Sequence, residues 1–75
     1  MAPGALDPLT KEMIYMAVSI AQGCTYCINS HTAAARTKGM SAGQYAELMA
    51  VIGMASETNR LVTGYQVELD RRRQA

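Results

Sequence analysis

The sequence predicts an all-α fold of about three helices. Two observations predict it: apolar residues recur at helical spacing in three blocks cut by glycine, proline and hydroxyl residues, and no stretch alternates apolar with polar residues long enough to make a strand. A third observation bears on how the helices are used. The chain has 75 residues, 49% of them hydrophobic and 17% charged. A domain of about 60 residues buries only about 60% of its unfolded surface, so this much apolar surface exceeds what a single small domain spanning 1–75 can hide. Oligomerisation is the expected remedy.

The first block predicts a helix over 7–22. Asp7 is placed to cap it and Pro8 to occupy its first position, where the missing N–H costs nothing. Leu9, Met13, Met16, Ala17 and Ile20 make one apolar stripe, and Ile14, Tyr15 and Val18 extend it around most of the circumference, as in a helix with neighbours on both sides. The second block predicts a helix over 24–38, closed by Gly39 in the left-handed conformation, with Ala33, Ala34 and Ala35 allowing close packing. The third predicts a helix over 42–69, capped by Ser41 and carrying Tyr45, Leu48, Met49, Ile52, Ala55, Val62, Tyr65 and Leu69 on its stripe. Gly53 and Gly64 interrupt it at about 1 kcal/mol each against Ala, which suggests a kink or a close helix crossing.

Charge and hydropathy exclude several functions. Seven Lys or Arg against six Asp or Glu give a net charge of +1, too little to gather nucleic acid or an anionic membrane. The basic run Arg71, Arg72 and Arg73 falls in a C-terminal tail, 71–75, read as solvated. The longest apolar stretch, 13–21, is far shorter than the roughly 20 residues of a membrane span, and the N-terminus lacks a basic segment followed by an apolar one. A soluble, cytoplasmic protein is expected. Two cysteines cannot form a dense disulfide scaffold, and a close pair inside a cell points to redox chemistry or metal binding.

That pair is Cys24-x-x-Cys27, followed by the chain's single histidine as Cys27-x-x-x-His31. On a helix these spacings place all three side chains on one stripe. A helix start favours thiolate over thiol, and a thiolate is the species that attacks peroxide or disulfide. His31 at that spacing can carry the proton. Two other readings stand beside this one: Cys24, Cys27 and His31 as zinc ligands, lacking a fourth, or as residues that simply pack. Glu12, on the first helix beside Met13 and Met16, offers a carboxylate whose pKa apolar surroundings would raise, or else a first-turn glutamate serving the helix dipole.

Glu12, eleven intervening residues and then Cys24-x-x-Cys27-x-x-x-His31 together resemble the signature of the alkylhydroperoxidase AhpD-like group of the carboxymuconolactone decarboxylase superfamily. The resemblance runs from Ala5-Leu6-Asp7 across Lys11-Glu12, Ala17-Val18-Ser19 and the cysteine motif to Ser41 and Asn59-Arg60-Leu61. It implies an all-helical homo-trimer or homo-hexamer that reduces hydroperoxides. By similarity Cys27 attacks the peroxide and becomes a sulfenic acid, Cys24 resolves it as a disulfide, and Glu12 and His31 relay the proton. The resemblance implies no bound cofactor and no metal: electrons come from an external dithiol, such as a lipoyl-bearing protein. Lactone decarboxylation is disfavoured, because members with that activity generally lack the cysteine pair. This sequence has Tyr26 where some peroxidase members carry a second histidine, and members usually carry further helix before the segment that 1–7 resembles, so an N-terminal helix is read as absent.

Overall fold

The computed structural model describes residues 1–68, and within them the chain forms α1 (Pro8–Gln22), α2 (Thr25–Thr37) and α3 (Ala42–Gly64). The all-α expectation holds. Each start is set by a short polar side chain or by the preceding helix's end. Asp7 is extended and accepts the Thr10 amide at 2.9 Å and the Thr10 hydroxyl at 2.7 Å. Ser41 forms a full capping box, accepting the Gln44 amide at 3.0 Å while its own amide donates to the Gln44 side chain at 2.8 Å. Such caps contribute about 1 kcal/mol each.

All three helices end by the same device. At the end of α1, Gly23 takes φ +74 and the amides of Gly23 and Cys24 reach back to the carbonyls of Ile20 and Ser19. At the end of α2, Gly39 takes φ +100 and the amides of Gly39 and Met40 reach Arg36 and Ala35. At the end of α3, Gln66 takes φ +55 and the amides of Gln66 and Val67 reach Thr63 and Val62. These are the paired bonds of a left-handed helix stop.

The third stop corrects the expected boundary. The helix ends at Gly64 and not at 69, because Gln66 turns left-handed and Val67 closes the last turn. Tyr65 is therefore the cap, while Leu69 and the basic run Arg71–Arg73 lie outside the described residues. The second helix is also shorter than 24–38: Cys24 is extended at ψ 92 and precedes it, and Lys38 caps its end. Gly53 produces no close crossing among the described residues, since nothing of theirs lies within 4 Å of a Cβ added there.

The core is small. Met16, Ala35 and Met40 are buried, with Leu9, Met13, Tyr45 and Leu48 packed around them. Helix α1 is the central element, meeting α2 along its length and α3 through the latter's N-terminal half. The stripe on α3 is used at Tyr45 and Leu48, with Ile52 half-buried beyond them, but the helix fully buries no residue, and Val51, Met54, Leu61 and Val62 stay exposed. The radius of gyration is 15.1 Å, against about 11 Å expected for a compact domain of this length.

Candidate active site

The end of α1 fixes the first cysteine. Gly23 and Cys24 alone separate α1 from α2, and the Cys24 amide is held by the Ser19 carbonyl at 3.0 Å. Its carbonyl accepts the Ile28 amide at 2.9 Å, which opens the first turn of α2 and sets Cys27 one turn along. Both thiols are free and half-buried. Their titrations diverge. Cys24 is drawn below its ordinary value of 9.0, first by the Cys27 side chain and then by the Cys27 backbone N–H at the helix start. Cys27 is pushed above it, chiefly by the Cys24 side chain, with burial and the Cys24 charge adding to the effect. The sulfur of Cys24 forms no capping hydrogen bond of full geometry, and the two thiols titrate as an interacting pair.

The second half of the site joins α1 to α2. The Glu12 carboxylate is buried, and its Oε2 lies 2.7 Å from His31 Nδ1. Lys38 Nζ stands 3.7 Å from the other oxygen. The hydrogen bond from His31 holds the Glu12 pKa below its ordinary 4.5, outweighing the upward push of burial, and the charges of His31 and Lys38 act in the same direction. The sequence-based expectation of a raised pKa is thereby overturned: an imidazole and an ammonium, not apolar side chains, face the carboxylate. Nor does Glu12 serve the helix dipole, as no acidic residue occupies the first turn of α1. An ionised carboxylate only accepts, so Nδ1 donates to it, and Nε2 is the ring nitrogen that Glu12 does not engage.

Tyr15 completes this group. Its ring lies on the His31 ring with centroids 3.6 Å apart and planes 23° from parallel. Neither Tyr15 nor Lys38 was singled out by sequence reasoning. The signal existed for Tyr15, which lies three residues after Glu12 and so on the same face of α1. For Lys38 it lay in the arrangement of two helices and not in the chain.

An open groove of about 440 Å³ runs beside the cysteines, walled by Leu6, Ile14, Tyr15 and Val18 and floored by Ser19, Cys24 and Cys27. It gives an apolar approach to both sulfurs. The zinc reading finds no donor set: among the described residues no three His, Cys, Asp or Glu side chains converge to hold a metal ion. No described helix is long and apolar enough to cross a membrane.

Similarity to known proteins agrees with this geometry. The crystal structure of the alkylhydroperoxidase AhpD core from Rhodospirillum rubrum superposes on the whole chain with a TM-score of 0.95 and 56% identity, covering 55% of that protein. A Paracoccus denitrificans protein described as uncharacterized protein 4 in the cox locus is 39% identical over 56 residues, 75% of this chain and 48% of its own length. The chain thus spans about half the length of these relatives. Residues 1–67 match the Carboxymuconolactone decarboxylase family, so the chain belongs to that family and is an AhpD-like member of it.

Proposed function

We propose that the chain is a thiol peroxidase that reduces hydroperoxides through Cys27 and Cys24. The observation that carries this reading is the 2.7 Å bond between buried Glu12 and His31, one helical turn beyond Cys27. It leaves an imidazole nitrogen free to take the proton of a thiol that Cys24 makes reluctant to ionise. The Cys27 sulfur attacks the terminal oxygen of the hydroperoxide and breaks the O–O bond. The distal OH becomes the sulfenic acid of Cys27, and the alkoxide leaves as an alcohol after taking the proton held by His31. The Cys24 thiolate then attacks that sulfur, forming the disulfide and expelling hydroxide, which leaves as water on taking from solvent the proton that Cys24 gave up on ionising. In the reduced chain the Cys27 side chain and backbone draw the Cys24 pKa below its ordinary value, which favours the nucleophilic form.

Two electrons from an external dithiol, a lipoyl protein or a relative of one, restore both thiols, and no bound cofactor or metal takes part. The exposed stripe on α3 suits a homo-trimer or homo-hexamer, and the reading places the protein in the cytoplasm, independent of nucleic acid and membrane. Lactone decarboxylation has no use for the dithiol.

The test is a thiol count by intact mass after alkylation, with zinc measured on the same sample, before and after one equivalent of cumene hydroperoxide. Loss of both thiols with a fall of two hydrogens in mass is expected, and Cys27→Ser should abolish it with the fold intact. Persistent thiols, or stoichiometric zinc, would sink the proposal.

A further inference from the structure

We infer that Tyr15 is a positioning residue that clamps the His31 ring. Three observations meet on it. Its ring stacks on the imidazole at 3.6 Å, while Glu12, one turn away on α1, holds Nδ1 of the same imidazole. One hydrogen bond leaves a ring free to rotate about the bonded nitrogen; a flat surface against its face removes that freedom, so edge and face are fixed from one helix. Tyr15 also walls the groove that Cys24 and Cys27 floor, whereas Glu12 and His31 do not line it. The tyrosine thus stands between the groove and the proton-carrying pair.

A second feature separates this role from ordinary packing. Tyr15 is 44% exposed, so it contributes little to the core, which is built on Met16, Ala35 and Met40. What it does contribute is the orientation of a ring whose free nitrogen lies on the same helical face as Cys27. The phenol hydroxyl has no part in the clamp: the aromatic face alone is required.

The experiment compares the full chain with Tyr15→Phe and Tyr15→Leu, using ¹⁵N line widths of the His31 ring nitrogens and the rate of Cys27 oxidation by cumene hydroperoxide. Glu12 keeps its bond to Nδ1 in all three, so the clamp is read from ring motion: wild type and Tyr15→Phe should give narrow lines. Tyr15→Leu should give exchange-broadened lines and about a tenfold slower oxidation, with Tyr15→Phe within about twofold of wild type, the scale on which small misplacements act. Equally narrow lines in Tyr15→Leu overturn the clamp, as does broadening in Tyr15→Phe, which would assign the effect to the hydroxyl. If Tyr15→Leu loses its helical circular dichroism, Tyr15→Met is read in its place by the same two criteria. The rate effect rests on the proposed peroxidase reading, but the imidazole spectrum does not, so a clamp in a chain without peroxidase turnover is still detected.

Discussion

His31 on α2 and Glu12 on α1 are joined by a 2.7 Å bond whose acceptor is 4% exposed and whose donor is 23% exposed. The same contact ties two helices together and fixes which nitrogen of the imidazole carries hydrogen. The proposed proton relay and the tie between the helices therefore rest on one bond, and titration separates them.

The native Glu12 pKa lies below 4.5, so the folded chain binds fewer protons there than the unfolded chain. The stabilisation is therefore complete above 4.5, and it is lost as pH falls through the lower native value. Glu12→Gln should cost about 1.5–3 kcal/mol near neutrality, the range for a hydrogen bond to a charged group. The gap between the two proteins should close on acidification, read from urea midpoints across the acid range. A gap independent of pH would mean that the carboxylate charge contributes nothing.

The diverging thiols make a second prediction. With limiting iodoacetamide, Cys24 should be labelled before Cys27, with a midpoint below 9.0 in its pH–rate profile. Cys27→Ala should move that midpoint back toward 9.0, because the Cys27 side chain is the leading cause of the shift. Peptide mapping by mass decides it, and equal labelling of both sulfurs would show that they do not share a proton.

Much of this was legible in the chain. Asp7, Pro8, Ser41 and Gly39 announced their helix ends because caps are local chemistry, fixed within four residues. Cys24, Cys27 and His31 were grouped by helical spacing and Glu12 joined them through the family resemblance, and the Glu12–His31 bond is what the structure adds. The stop after Gly64 was not, because it depends on Gln66 adopting a positive φ that glycine usually supplies. The sign of the Glu12 shift was missed for a different reason: it depends on Lys38 and His31 crossing from another helix, and no periodicity within α1 contains them.

Gly23 sits where conformation and chemistry meet. Its φ of +74 is unfavourable for any side chain, although a Cβ would meet nothing within 4 Å. Gly23→Ala should cost about 1 kcal/mol or slightly more through the backbone alone. It should also slow disulfide formation by shifting Cys24, which depends on that turn. Gly53→Ala is the control: it lies inside α3 in open space and should gain about 1 kcal/mol in a single chain. Thermal unfolding of the two variants reads both signs, and equal effects would detach Gly23 from the turn.

Methionines at two ends of the burial range test assembly. Met16 is fully buried, and Met16→Ala should cost about 2–5 kcal/mol whether or not copies associate. Met54 is 65% exposed on α3, beyond the part that α1 covers. In an isolated chain Met54→Ala should fall within about 0.5 kcal/mol of wild type. If a second copy packs on the α3 stripe, the substitution will instead remove buried apolar surface. The melting temperature should then rise with protein concentration in wild type, and Met54→Ala should weaken that dependence. Sedimentation velocity on both proteins gives the species directly. A wild type that stays monomeric at all concentrations, with Met54→Ala neutral, would leave the apolar excess of this chain exposed and remove the oligomer from the proposal.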